Sequence, residues 1–396
     1  MSALRRISTR RLLLICALAL ATVGGGTAVA LAATSGSGET PPPTPLAKAV
    51  EEALNAPEVP GISARIEFTN NLIDASSIQG ADPILAGASG RLWASPADGG
   101  KLRLELQAEE SGGGDSQLLV AGRHFQLYDG SSETVYEGTL PEEEQGAEHG
   151  EWQVPGLGEI ETEITRAEEH AEISGATPSN TAGQPSYTVR IAPKHDGGLL
   201  GGVELAWDAD NGVPLRGAIY SSDSSSPVVQ LEATDVSFEA IPESVFAAEP
   251  PAGAEVVNLN PEEELAGEHG EPREIVGEQA VSAAVDFDLV APDSLAGLPR
   301  NEVRAIAVDG KSAALVGYGE GLGGILVIEA KSEPGEHEEA DAAHGFELPK
   351  VQINGVEGEE LDTALGTALH FSRDGVDYIV LGSVPPAAAE AAARAL

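Results

Sequence analysis

The alternation of polar and apolar positions changes period along this chain, and each change marks a different element. From Leu12 to Ala33 no charge interrupts "LLLICALALATVGGGTAVALAA". As a helix that run would extend about 33 Å, enough to cross a hydrocarbon core. Leu46, Ala49, Val50, Ala53 and Leu54 then recur at helical spacing behind Thr44 and Pro45, and Pro57 and Pro60 end the pattern. The spacing predicts a short amphipathic helix with a Thr44 N-cap and a proline in its first turn. After it the period becomes two. In "SARIEFTN" Ala64, Ile66 and Phe68 face one way, and in "KLRLELQ" Leu102, Leu104 and Leu106 do. "SQLLVAGRHFQLYDG" reads as two strands around Gly122, and "YTVRIAP", "GVELAW", "LRGAIY" and "VVQLEATDVSF" continue the series.

Each of these strands is polar on one face, the mark of an antiparallel sheet with one covered side. About eight such strands against one helix predict a strongly curved sheet whose apolar face needs a helix or a ligand to fill it. The series ends on "FAAEPPAGAEVV" (Phe246 to Val257), where Pro250 and Pro251 rule out a helix interior and a central strand. "TSGSGETPPPTP" (residues 34–45) reads as a spacer ahead of the sheet, and "NPEEELAGEHGEPREIVGE" as an acidic linker behind it. Beyond the linker, "AVDFDLVAPDSLAGLP" suggests an edge strand and turn, and "EVRAIAVDGKSAALVGYGEGLGGILVIEAKS" alternates as strands. "ALHFSRDGVDYIVLGSV" reads as a hairpin turning at Asp374-Gly375, and "PPAAAEAAARAL" as a closing helix. The expected division is therefore 1–33 export segment, 34–45 spacer, 46–258 first domain, 259–280 linker and 281–396 second domain.

Charge narrows the function. The chain of 396 residues carries a net charge of −42, which excludes nucleic-acid binding and repels an anionic membrane face. Arg5, Arg6, Arg10 and Arg11 precede the apolar run, so the N-terminus stays cytoplasmic and the body lies outside. The run either remains as a single-pass anchor or is a signal peptide cut near "AVALAA". Cys16 is the sole cysteine, so no disulfide forms within the chain.

The order "GRLWASP…KLRLEL", "LLVAGRHFQLYDG", "VELAWDADNGVPLRGAIY", "DVSFEAIPESVFAAEPPAGAEVV", behind a short helix, resembles the LolA-like lipoprotein-carrier superfamily, which includes the sigma-E regulatory protein RseB. The resemblance covers roughly residues 46–258. It implies an α+β fold in which an antiparallel half-barrel wraps a helical lid around a cavity for acyl chains, followed here by a smaller α+β domain. It also implies that Phe246 plugs an end of the cavity or core while Pro250-Pro251 carry the chain off the edge strand. LolA-type carriers have a basic residue after the "LW" strand; Ala94 and Ser95 stand there in this chain, so the hand-off step does not carry over.

Chemical motifs are few. "GEGLGG" (Gly319 to Gly324) matches a dinucleotide fingerprint in letters, but a strand-like "ILVIEAK" follows where a helix is needed, so it predicts a glycine-rich turn. "DADNG" (Asp208 to Gly212) predicts an Asn-Gly turn, since Ile219 stands where a calcium loop needs glutamate. His149, His269, His337 and His344 lie in acidic loops without a ligand pattern, and no GxSxG elbow occurs. The expectation is a non-catalytic protein without cofactor or metal. Its partners would be a lipid or lipoprotein acyl chain, the membrane through the N-terminal segment, and, in the RseB-like alternative, a membrane anti-sigma factor. The candidate cavity lining is Ile66, Phe68, Trp93, Leu104, Phe125, Leu127, Trp207, Ile219 and Phe238.

Overall fold

The computed structural model describes residues 39–73, 87–96, 100–108, 115–130, 132–139, 155–194, 198–247, 253–259, 275–308, 311–332 and 348–396. The apolar run of residues 12–33, Pro250-Pro251, the four loop histidines and most of the three acidic loops lie outside them.

The alternating segments form one large sheet. Its first half is β1 (Ile62–Asn70), β2 (Ala88–Ser95), β3 (Lys101–Ala108), β4 (Ser116–Ala121), β5 (His124–Asp129) and β6 (Thr134–Thr139). Its second half is β7 (Ala171–Ile173), β8 (Thr177–Thr181), β9 (Gln184–Pro193), β10 (Leu200–Asp208), β11 (Pro214–Ser221) and β12 (Pro227–Ser237). A last strand, β13 (Glu255–Leu259), joins after a short strap. The order is β13-β6-β5-β4-β3-β2-β1-β12-β11-β10-β9-β7, with β8 also on β9. Its two ends, β13 and β7, are different strands, so the sheet is an open half-barrel. Every pairing is antiparallel except β13 on β6.

Among the described residues two helices accompany it where one was expected: α1 (Leu46–Asn55), packed on the sheet, and α2 (Leu157–Ala167), packed on α1. Ala47 and Leu54 of α1 meet Ile160 of α2, with Val50 and Ile164 beside them. The other side of α1 packs Ala49 onto Tyr187, Val189, Ile191 and Trp207 of β9 and β10. The expected Thr44 cap is absent: Pro45 is the N-cap, and the Thr44 hydroxyl lies 2.9 Å from that of Tyr187. The "DADNG" turn forms as expected. Asp208 Oδ1 accepts from the amides of Asp210 (2.9 Å) and Asn211 (3.0 Å). Gly212, at φ 73°, passes so close to α1 that a Cβ would lie 2.5 Å from the Ala53 carbonyl oxygen.

Phe246, expected to plug an end of the cavity or core, is placed elsewhere, and Pro250-Pro251 lie outside the described residues. Residues 243–246 make a 3-10 turn packed on β3 and β4. Arg103 donates to the Val245 carbonyl at 2.7 Å, and Lys101 pairs with Glu243 at 2.6 Å. Lys101 and Arg103 alternate with Leu102 and Leu104, so Phe246 is buried against the polar side of the sheet, opposite the leucines. The strap then delivers β13 to the free edge of β6, in parallel register from Glu255 opposite Thr134. Residues 243–246 thus lie on the outside of the sheet.

The second unit is a separate sheet of β14 (Ser294–Leu295), β15 (Leu298–Val308), β16 (Lys311–Tyr318), β17 (Ile325–Lys331), β18 (Lys350–Ile353), β19 (Val356–Thr363), β20 (Gly366–Arg373) and β21 (Val376–Gly382), in the order β14-β15-β16-β17-β21-β20-β19-β18. One face packs a helix, α4 (Pro386–Ala395), through Ala389, Ala392 and Ala393. "GEGLGG" is a turn with a 3-10 step between β16 and β17, and Asp374-Gly375 turns β20 into β21 at φ 54° and 80°. The predicted edge strand of "AVDFDLVAPDSLAGLP" is replaced by irregular chain after a short α3 (Glu278–Ser282), with strand only at Ser294–Leu295. Val285, Phe287 and Leu289 drop onto the core instead of entering a ladder.

That irregular chain is pinned by a buried carboxylate. Glu329 on β17 is fully buried; its Oε2 accepts the Val290 amide at 2.9 Å, and its Oε1 has no hydrogen-bond partner. Burial pushes Glu329 up from 4.5 to about 7, against the Val290 bond, which lowers it. Burial first, and Glu329 second, push the nearby Tyr318 up to about 12. Between pH 4.5 and about 7 the folded chain holds a proton that the unfolded chain has lost, so stability falls as pH rises through this window and levels off above it. Glu329→Gln keeps an acceptor for Val290 and removes the buried charge. Urea unfolding of this unit should show the variant more stable than the parent above the window, by on the order of 3 kcal/mol, and flatter across it; parallel pH profiles would contradict this.

Candidate functional site

Cross-strand partners share a face of the sheet, so the register states which side chains lie together. Val236, Ala64, Leu92, Leu104, Leu118, Leu127, Tyr136 and Val257 stand opposite one another in turn across eight strands, from β12 through β1 to β6 and β13. A second row runs beside it through Ile62, Ala94, Leu102, Val120, Phe125, Gly138 and Leu259. A third places Gly217, Leu231, Phe68 and Ala88 in line. Together they make a continuous apolar face.

Its covering is uneven. On the β9–β10 side α1 buries Tyr187 and Trp207 to 4% exposure. At β1 and β12, Ala64, Ile66, Ala233 and Val236 form a small core with Leu215. Toward β5 the cover thins: Leu92, Leu104 and Leu118 are half-buried, Leu127 is 38% exposed, and Leu231 on β12 is 46% exposed. Inside the face the chain is tightly packed at Gly90, between Ile66 and Leu106, where a Cβ would sit 2.1 Å from the Glu105 carbonyl oxygen. Among the described residues, Leu127 and Leu231 are the most exposed leucines of the face, and they stand on β5 and β12 with the half-buried rows between them.

Eight of the nine predicted lining residues stand on this face. Ile66, Leu104 and Phe238 share one cluster, and Phe68, Phe125, Leu127 and Ile219 follow from register. Trp207 is on the same side but sealed under α1, so it belongs to the helix-filled part. Trp93 is a correction: it pairs with Ser63 and Arg103 on the polar face, with the Arg103 guanidinium 5.6 Å from its ring. Leu92 and Trp93 are adjacent, only one of them can point inward, and Leu92 takes that place between Ala64 and Leu104. Leu92, Leu118, Val120 and Leu231 also belong to the face and were not among the nine.

The opposite face is charged and knitted. Arg216 bonds Glu204, the Tyr220 hydroxyl at 2.7 Å and Gln230, while the Arg190 guanidinium sits 4.4 Å from the Tyr220 ring centre. Burial pushes the neighbouring Glu232 upward, and Arg216 opposes that. A shallow depression lined by Leu119, Gln126, Glu137 and Asn258 lies on this polar side, away from the leucine rows. Among the described residues, no group of three or more His, Cys, Asp or Glu is placed to hold a metal ion.

No protein-family model and no curated relative matches the sequence. Among solved structures, MucB in complex with MucA(peri) matches at a TM-score of 0.40 and 14% identity, over 88% of this chain and 94% of that one. An outer membrane lipoprotein-sorting protein domain from Vibrio parahaemolyticus matches at 0.22 and 12% identity, over 51% of this chain and 95% of that one. A LolA superfamily protein from Nitrosomonas europaea matches at 0.19 and 14%, over 51% and 97%. At these identities the likeness concerns the fold alone.

The two parts of the face differ in what they do for stability. Trp207→Ala should cost the first domain about 3–5 kcal/mol, because it opens a cavity under α1. Leu127→Ser and Leu231→Ser should each change it by less than about 1 kcal/mol. Denaturant unfolding checks the contrast, and a large loss at Leu127 or Leu231 would mean that their surface is already covered.

Proposed function

We propose that this chain is a non-catalytic extracytoplasmic protein that binds lipid or lipoprotein acyl chains on the uncovered apolar face of its first sheet, as a carrier or as a sensor of envelope state. The observation that carries the reading is the partial cover: leucine rows run across β1 to β6, Leu127 on β5 is exposed on one side of them, and Leu231 on β12 is exposed on the other. An acyl chain burying about ten methylenes there would gain on the order of 8 kcal/mol before its loss of freedom is counted, without any charged contact. The N-terminal apolar run behind four arginines serves in this reading as a single-pass anchor that holds the body outside the cytoplasm. Among the described residues no helix is long and apolar enough to cross a membrane, and residues 12–33 lie outside them.

A second reading is an RseB-like signalling module that binds a membrane anti-sigma factor through protein contacts. It draws on the second sheet, where Leu326 is 42% exposed and stands in a row with Leu381, Ala368 and Leu361. That row lies on the side away from the buried Ile325, Val327 and Glu329.

Organic extraction of the purified protein followed by mass spectrometry separates the two. The first reading expects co-purifying lipid. It also expects Leu127→Asp or Leu231→Asp to weaken binding of a fluorescent fatty acid roughly tenfold, about 1.4 kcal/mol, while Trp93→Ala on the polar face leaves it unchanged. Absence of lipid and of fatty-acid binding would sink it in favour of a protein partner.

A further inference from the structure

The segment ahead of α1 is not a free spacer along its whole length. Asn180 Nδ2, on β8, donates to the Glu39 carbonyl at 3.0 Å. The Tyr187 hydroxyl, on β9, donates to the Pro42 carbonyl at 2.8 Å, and the Thr44 hydroxyl lies 2.9 Å from the Tyr187 hydroxyl. Pro41 is buried. Consecutive prolines suit such docking, because their restricted φ leaves little backbone freedom to lose. Tyr187 is a firm mooring: its ring centre lies 6.1 Å from that of Trp207, and both pack against Ala49 of α1.

Docking shortens the reach of the chain. From Ala33, the end of the apolar run, to Glu39 the backbone spans at most about 20 Å, whereas a free chain to Leu46 would span at most about 45 Å. The mooring edge also differs in charge from the rest of the molecule. In a chain with 64 acidic residues, no charge occurs from Ile173 to Val189, the stretch holding β8, its turn and the start of β9, or from Thr40 to Ala47. Glu39 heads the moored segment and the stretch behind it carries no acidic group, so an anionic lipid surface repels this side less than the acid-rich remainder of a chain of net charge −42. The hairpin turn reaches the apolar face as well, since Ala182 packs against the cluster of Ile66, Leu215 and Val236.

Resting on the anchored reading above, we infer that residues 39–45 are an orienting clamp. They hold the uncharged β8–β9 edge of the first sheet toward the bilayer from which the chain emerges. That edge borders the apolar face, so acyl chains reach the face from the same bilayer.

The test uses the full chain in phosphatidylcholine–phosphatidylglycerol vesicles, in a Cys16→Ser background. A donor dye is attached at Gln184→Cys on β9 or at Arg123→Cys in the β4–β5 turn, about 35 Å away along the sheet, with acceptor dye on lipid headgroups. With a reach of at most about 20 Å, the donor at position 184 should be quenched roughly threefold more than the donor at 123. Releasing the clamp with Tyr187→Phe and Asn180→Ala, which keeps the ring in the core, should bring the two together. Equal quenching with the clamp intact, or a difference that survives its release, overturns the inference. Vesicle flotation keeps the two failures apart: a chain that does not float overturns the anchor and the orientation together, whereas a floating chain with equal quenching overturns the orientation alone.

Discussion

An open antiparallel sheet with one apolar side must bury that side, and the rest of this structure follows from how incompletely it does so. Among the described residues of the first domain, two short helices accompany the sheet. They meet each other through Ala47, Leu54 and Ile160 and spend the remaining surface of α1 on β9 and β10. The leucines of β2 to β5 are left with their own neighbours and with solvent. A sheet this wide, with so few aromatic residues to fill it, keeps a soft apolar surface as a direct consequence of its composition: aromatics make up 4% of the chain.

The polar side compensates for what the apolar side lacks. Half-buried arginines are matched with glutamate, glutamine and tyrosine across β9 to β12, and Arg103 and Lys101 hold residues 243–246 after β12. Further on, β13 removes the free edge of β6 by pairing with it; an uncovered edge is a template for unwanted association. The sheet is therefore fastened from outside at that end.

Much of this was legible in the sequence because a strand alternates with period two. Ala64, Ile66 and Phe68, and Leu102, Leu104 and Leu106, fall on the predicted side, and the turns at Gly122, Asn211-Gly212 and Asp374-Gly375 stand where expected. Alternation fails where two apolar residues adjoin, as at Leu92-Trp93, since period alone cannot choose which one turns inward. It also failed for α2, whose Ile160, Ile164 and Ala167 form a narrow stripe among Glu159, Glu161 and Glu163 that reads as one more acidic stretch. The strap and β13 were misjudged for another reason. Their places depend on Arg103 and on the edge of β6, partners more than a hundred residues earlier in the chain, which no local pattern reveals. The segment 284–293 shows the same limit, because a buried Glu329 takes the Val290 amide that a strand would have used.

The most direct measurement is photo-crosslinking with a fatty acid that carries a diazirine on its chain, with adducts located by peptide mass spectrometry. Adducts confined to the peptides bearing Leu104, Leu118, Leu127 and Leu231 are the result expected if the exposed leucine rows receive an acyl chain. Adducts on the Trp93 side, on the second sheet alone, or on no peptide would contradict it.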